Sequence, residues 1–424
     1  MHHLSIDLET YSSAQIRSTG AWKYIESNDF EILLFAYSLD SAPVQVVDVA
    51  CGETVPGWLV SALTDPDYIK HAYNAAFEYG CLDRVYGGMI ASQWRDTMLH
   101  GLYCGYTAGL DATGKALGLP EDKQKLSTGK ALIRYFCVPC KPSRTNGMRS
   151  RNMPHHDPAK WALFKEYNAQ DVVTEMEIER RLSLTPVPDW VQHQWEVDLR
   201  INQHGVAVDQ DLVQGALYMG AVTRERLMGE ATRITELENP NSQSQLLGWL
   251  NEAMDSDELP NLRKDTVSKA LSGMSDDTDI RRVLEIRQEL SKTSTKKYDA
   301  IESCVCKDNR VRGLLQFYGA NRTGRWAGRL VQVQNLPRTY TQNLDLARQL
   351  VKGKNLQALQ CVYGSVPDTL SQLIRTAFVA SPGHVLIDAD FSAIEARVIS
   401  WLAGEEWRLN AFREGQDIYC ASAS

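Results

Sequence analysis

Leu4, Ile6 and Leu8 alternate with Ser5, Asp7 and Glu9 at the start of the chain, and a period of two fits an extended strand with one apolar face. The apolar-rich stretch from Glu31 to Ser38 offers a second strand to pair with it. From Trp161 to Leu182 the spacing becomes helical, until Pro186 and Pro188 stop it. Residues 1–186 therefore read as an α/β domain. At 424 residues the chain exceeds what one hydrophobic core usually supports, so two or three domains are expected. Residues 187–305 look mainly helical, with polar interruptions at Asn239-Pro240-Asn241 and from Ser272 to Asp279. Residues 306–424 are mixed, and Val385 to Asp390 reads as a strand that runs into a helix carrying Ile394, Val398, Trp401 and Leu402.

Hydrophobic residues make up 43% and charged residues 23% of the chain, a globular balance. No apolar run is long enough to cross a bilayer. Acidic residues arrive at Asp7 and Glu9, where a signal peptide would continue its apolar core, so a cytosolic protein is expected. Nine cysteines without a secretion signal point to reduced thiols. Cys137 and Cys140 form a C-x-x-C, and Cys304 and Cys306 a C-x-C. Zinc would need further ligands from distant segments, so buried or incidental thiols are expected.

The net charge of -8 hides local asymmetry. Six arginines and no acidic residue lie between Arg310 and Arg338, and six basic residues face three acidic ones between Arg281 and Ala300. Binding a nucleic-acid backbone requires such a local track rather than a basic total.

Asp7 and Glu9 stand two apart and share a strand face. Two neighbouring carboxylates repel unless a cation lies between them, although a solvated strand face is the ordinary reason for such a pair. Tyr167 and Asp171 stand four apart on a helix, which puts both on one side. Asn74-Ala75-Ala76-Phe77-Glu78 adds an acidic position at a helix start.

In this order and spacing, Asp7-x-Glu9, Asn74-x-x-x-Glu78 and Tyr167-x-x-x-Asp171 resemble the DEDD exonucleases of the tyrosine subtype, which have a ribonuclease H-like fold and proofread for polymerases. The resemblance implies two Mg²⁺ or Mn²⁺ ions about 4 Å apart, a spacing suited to activating water and stabilising the leaving oxygen. Asp7 would bridge both ions, Glu9 and Asp171 would hold the one that activates water, and Tyr167 would orient that water. Glu78 occupies a position where Asp is usual in the family, and the extra methylene shifts its oxygens.

Thr323-Gly324-Arg325, then Gln334-Asn335-Leu336-Pro337-Arg338, then Arg375-Thr376-Ala377-Phe378 and Asp390-Phe391-Ser392-Ala393-Ile394-Glu395-Ala396-Arg397 resemble successive motifs of family A DNA polymerases. The phrase Phe136-Cys137-Val138-Pro139-Cys140-Lys141-Pro142 is similar to bacteriophage-type members. The resemblance implies that Asp390 holds metal in nucleotide transfer and that Glu395 lies near the incoming sugar. Arg325, Gln334 and Asn335 would track the primer-template, and Lys292 and Lys296, on a basic thumb helix from Ile280 to Ala300, would grip the duplex backbone. Spacing alone does not choose between Asp388 and Asp390; the family wording favours Asp390.

The architecture so implied is a ribonuclease H-like 3′–5′ exonuclease domain at 1–186, a helical thumb at 187–305 and an incomplete α+β palm at 306–424. The fingers helix with its Arg, Lys and Tyr, and the later His-Asp-Glu turn, find no counterpart before Ser424. The expectation is a polymerase by lineage whose complete site is the exonuclease, acting on single-stranded or frayed 3′ DNA ends in a bacterial host's cytosol. A stand-alone nuclease of RNA processing would share the first constellation, but the motifs from Thr323 to Arg397 speak against it. A DNA-binding chain that awaits a separately encoded fingers-and-palm partner is the third possibility.

Overall fold

The computed structural model describes residues 1–126, 128–254, 259–274, 278–292 and 295–423. They form two compact units, Met1–Val379 and Ala380–Ser424.

The first unit begins with a five-stranded sheet of β1 (His2–Tyr11), β2 (Glu31–Leu39), β3 (Gln45–Val47), β4 (Tyr68–Ala72) and β5 (Trp94–Asp96), in the order β3-β2-β1-β4-β5. β1 is central. It runs antiparallel to β2, with Asp7 opposite Ala36 and Glu9 opposite Leu34, and parallel to β4. A register shift between Glu9 and Thr10 breaks the ladder beside the carboxylates, as bulges do where a side chain must be re-aimed.

Both faces of β1 are covered. Leu4, Ile6 and Leu8 enter a core with Phe35, Leu59 and Trp94. The face of Asp7 and Glu9 lies under the helix Pro158–Leu182, whose Asn168 reaches Asp7. That helix starts cleanly, with Pro158 in its first turn and the Asp157 side chain accepting from the Lys160 amide at 3.0 Å. Among its buried residues Trp161, Phe164, Asn168, Asp171, Glu175, Ile178 and Leu182 recur every three or four positions, so one stripe carries both core and carboxylates. The ordinary alternative for the Asp7–Glu9 pair, a solvated strand face, does not hold under this cover.

Pro186 and Pro188 turn the chain without ending the packing. In the following helix, Asp189–His204, Val191, Trp195 and Leu199 join the core of Leu4 and Ile6. Beyond it, the helix Gln210–Thr235 and the helix Lys296–Cys304 share a second core. Beside it lie a three-stranded sheet of β6 (Val206–Val208), β7 (Arg310–Val311) and β10 (Phe378–Val379), and a hairpin of β8 (Leu315–Ala320) and β9 (Arg325–Gly328). A smaller core holds Leu246, Leu250, Val267, Val283 and Leu284.

Two local expectations are corrected. The basic stretch from Ile280 to Ala300 is not one helix: Asp279–Leu290 ends at Ser291 and a new helix starts at Lys296; Thr293 lies outside the described residues. Val385 to Asp390, in the second unit, forms no strand. A strand exists only through a partner ladder, none of the named strands pairs with this segment, and Ile387 is 88% exposed. The second unit instead consists of the helices Ile394–Ala403, Glu406–Arg413 and Ile418–Ala423. Among the described residues no helix is long and apolar enough to cross a membrane.

Candidate active site: a buried carboxylate cluster

Oxygens of Asp7, Glu9 and Asp171 all lie within 4.8 Å of one another. Glu9 and Asp171 are buried and Asp7 is half-buried, so three like charges converge where water cannot screen them. Burial, and then the charge of Asp171, pushes Asp7 up to about 8. Burial and then Asp7 raise Glu9 well above the usual carboxylate range. Burial also raises Asp171, against the opposing pull of Lys125. A charged cluster of this kind is stable only with cations among its oxygens or protons on them.

The surrounding groups hold the cluster in shape. The Asn168 amide donates to Asp7 Oδ2 at 2.7 Å and to the Asp7 carbonyl at 3.2 Å. The Cys137 thiol donates to Glu9 Oε2 at 3.8 Å. The Lys125 ammonium bonds Asp171 Oδ2 and sits 4.6 Å above the centre of the Tyr167 ring. Tyr167 is buried, and desolvation, then the charges of Asp171, Glu9 and Asp7, hold its phenol far above the ordinary range. It therefore remains a hydrogen-bond donor throughout the accessible pH range.

Glu78 stands outside the 4.8 Å group but faces it. It lies in the first turn of the helix Ala76–Tyr86 and is buried, and burial followed by the charge of Asp7 drives its carboxyl well above the usual range. Glu78 Oε2, Asp171 Oδ1 and Asn168 Oδ1 are buried without a hydrogen-bond partner among the described residues, which is costly unless something is meant to meet them. Glu175, one turn beyond Asp171, is pushed up to about 7 by burial and takes the Thr97 hydroxyl at 2.5 Å.

This donor set fits a hard divalent cation: all oxygen, several carboxylates, and orphaned acceptors beside an ammonium that already supplies positive charge. Asp7, Glu9 and Asp171 would hold it, with Glu78 to one side. Among the described residues no other group of three or more His, Cys, Asp or Glu gathers in this way. The C-x-x-C does not act as a pair, because Cys140 turns to the Arg149 carbonyl at 3.3 Å while Cys137 faces Glu9. Among the described residues no disulfide joins any of the cysteines.

The other expected site residues lie elsewhere. Lys292 is not a free contact: it pairs with Asp368 at 2.9 Å. It lines a cleft of about 610 Å³ together with Lys296, Arg224 and Arg287. The neighbouring arginines are also engaged, Arg282 with Glu230 at 2.7 Å and Arg312 with Asp308 at 2.6 Å, so part of the basic track holds the fold together. Arg325 begins β9 and is exposed. Gln334 covers Gly328 so closely that a Cβ there would stand 1.8 Å from its Oε1, and Asn335 donates to Gln332 Oε1 at 3.4 Å. Asp390 and Glu395 belong to the second unit and are exposed. The helix after Asp390 is capped by Ala393 in a left-handed conformation, not by Asp390.

Lys125 and Asn168, and the contact of Cys137 with Glu9, escaped the sequence reading. Asn168 precedes Asp171 by three on the same helix face and was open to discovery by spacing. Lys125 comes from an irregular segment 46 residues from its partner, and no periodicity points to it.

Residues 220–424 match the family model described as DNA polymerase family A. The chain is similar to the DNA polymerase of Bacillus phage SP02, 50% identical over 425 residues, spanning all of this chain and 65% of that protein. It is also similar to the thermostable DNA polymerase I of Thermus caldophilus, 28% identical over 282 residues, or 63% of this chain and 29% of that protein. The chain thus spans less than two thirds of these relatives' length. Among solved structures, the POL domain of Pol1 from M. smegmatis, in complex with DNA primer-template and dNTP, matches with a TM-score of 0.53 and 18% identity, covering all of this chain and 63% of that one.

Proposed function

Because the chain belongs to DNA polymerase family A, we propose that it serves template-directed DNA synthesis and that residues 1–186 are its proofreading 3′–5′ exonuclease, with a ribonuclease H-like fold. The observation that carries this reading is the convergence of Asp7, Glu9 and Asp171 within 4.8 Å. The sheet order β3-β2-β1-β4-β5, with its antiparallel and parallel pairings around β1, supports the fold assignment. Residues 187–305 would be the thumb and 306–424 part of the palm. Asp390 would be a metal-holding carboxylate there, Glu395 would lie near the incoming sugar, and Arg325, Gln334, Asn335, Lys292 and Lys296 would face the primer-template.

Asp7, Glu9, Asp171 and Glu78 would hold the divalent cations. When bound, Mg²⁺ or Mn²⁺ supplies Lewis acidity that acidifies water and neutralises charge on the leaving oxygen. The chain's own groups do the rest. Asn168 fixes Asp7 by two hydrogen bonds, one to its carboxylate and one to its main-chain carbonyl. The Tyr167 phenol, held protonated, donates to the attacking water and orients it toward phosphorus. A scissile phosphate can reach so buried a cluster only from an unpaired end, so a single-stranded or frayed 3′ terminus is the substrate.

The test is digestion of a 5′-labelled single strand by the full chain with Mg²⁺ or Mn²⁺. Asp7→Asn and Asp171→Asn should each reduce the rate by at least about a hundredfold, since either removes charge from the ion site, while the melting temperature holds or rises. Shortening that persists in both variants would remove the cluster from the chemistry.

A further inference from the structure

Between Lys123 and His156 there are eight Lys or Arg residues and not one Asp or Glu, in a chain whose net charge is -8. The segment is built around the carboxylate cluster. At one end Lys125 bonds Asp171; further on, Gly129 packs against the ring of Tyr167, and Cys137 donates to Glu9. The segment thus meets the cluster at Lys125, Gly129 and Cys137.

Its free charges point outward. In the helix Gly129–Phe136, Leu132 and Phe136 are buried, while Lys130 and Arg134, four apart on the opposite side, are exposed. Lys141 and Arg144 are exposed as well. Among the described residues none of these four makes an ion pair of the kind that engages Arg282, Arg312 or Lys292. The surface is also pre-shaped. Ser143 and Asn146 form a capping box, the Cys140 amide donates to the Ser150 carbonyl at 2.8 Å, and the Asn152 amide ties the loop to the Tyr135 carbonyl at 2.9 Å. Ordering these cations before binding lowers the entropy lost when a polyanion docks.

We propose that this acid-free segment is the track along which a DNA single strand reaches the carboxylate cluster, with Lys130, Arg134, Lys141 and Arg144 contacting successive phosphates. The proposal rests on reading the cluster as a nuclease site. Repelling carboxylates at the centre require a cationic approach if a polyanion is to come near. Contacts to phosphate alone suit proofreading, because any terminal sequence must be accepted.

The experiment compares the full chain with the quadruple variant K130Q/R134Q/K141Q/R144Q. Binding of a labelled dT 12-mer is followed by fluorescence anisotropy in EDTA over a salt series, and hydrolysis of thymidine 5′-(p-nitrophenyl phosphate) is followed with Mn²⁺. That ester needs the carboxylates but has no chain to lay on the track. The expected result is single-strand binding at least about tenfold weaker and a log–log salt slope smaller by about 3, from roughly 0.7 ions released per phosphate contact. Ester hydrolysis and affinity for a blunt duplex should be unchanged. Unaltered strand affinity and slope would overturn the track. If ester hydrolysis falls too, the charge-retaining variant K130R/R134K/K141R/R144K decides: recovered strand binding upholds the track and continued loss rejects it. If the unsubstituted chain does not hydrolyse the ester yet the quadruple variant still loses strand binding, the track stands and the nuclease reading fails.

Discussion

Gly129 and Tyr167 touch so closely that a Cβ added at Gly129 would lie 2.0 Å from Cε2 of the tyrosine ring and 2.4 Å from Cζ. No side chain fits there, and the ring is itself buried, so it can yield only by moving its hydroxyl relative to Asp171. Gly129→Ala should therefore act as a displaced-tyrosine variant. A shift of about 1 Å at a positioning group can cost on the order of a hundredfold in rate. The expected outcome is that loss in single-strand digestion, with Mn²⁺ binding by calorimetry close to that of the unsubstituted chain. Full activity in Gly129→Ala would show that the ring's position is immaterial.

Lys125 supplies the positive charge that Asp171, Asp7 and Glu9 share. A divalent ion entering the cluster competes with that ammonium, so Lys125→Met removes a competitor and leaves the carboxylates less neutralised. Mn²⁺ affinity by calorimetry should rise by about tenfold, equivalent to about 1.4 kcal/mol. Melting in EDTA should come earlier, and the stabilisation by saturating Mn²⁺ should grow. Equal or weaker Mn²⁺ binding in the variant would rule out this competition.

How far the sequence revealed this site depends on how each residue is placed. Asp7 and Glu9 were visible because a strand imposes a period of two, and Tyr167 and Asp171 because a helix stacks positions four apart. Their meeting was implied only by the resemblance to the DEDD exonucleases and not by spacing, since it depends on the Pro158–Leu182 helix crossing the face of β1, a tertiary fact that no local spacing encodes. For the same reason the face of Asp7 and Glu9 could pass for a solvated one. Lys125 had no periodic signal. Val385 to Asp390 failed in the opposite sense: its composition suits a strand, but strand formation depends on a neighbour, and its side chains are exposed here.

Glu78 tests how much a longer acidic side chain can do in this setting. Its Oε2 is buried without a partner among the described residues and its carboxyl is raised by burial and by Asp7, so it faces the cluster without joining the 4.8 Å group. Glu78→Gln keeps the shape and removes the charge. It should lower single-strand digestion by about a hundredfold, as expected when a charged group at an ion site is lost, with little change in melting temperature. Near-normal digestion in Glu78→Gln and Glu78→Ala would take it out of the site.

His100 and Glu179 give the fold a pH dependence that is separate from the chemistry. His100 Nδ1 lies 2.9 Å from Glu179 Oε2, and Nε2 lies 2.8 Å from the Thr185 carbonyl, so both ring nitrogens meet acceptors. Burial opposes the imidazolium, but the hydrogen bond and charge of Glu179 outweigh it and raise His100 above 6.5. Burial likewise opposes the Glu179 carboxylate, and His100 outweighs it, lowering Glu179 below 4.5. The histidine's contribution is fully present below pH 6.5 and is lost as pH rises through its elevated value. The glutamate's is present above 4.5 and is lost as pH falls through its depressed value. The pair therefore stabilises most between about pH 4.5 and 6.5, by roughly 1 kcal/mol for a partly exposed ion pair. Urea unfolding at pH 5.5 and pH 8 should show His100→Gln costing about 1 kcal/mol more at the lower pH. A cost independent of pH would mean that His100 stays neutral in the folded chain.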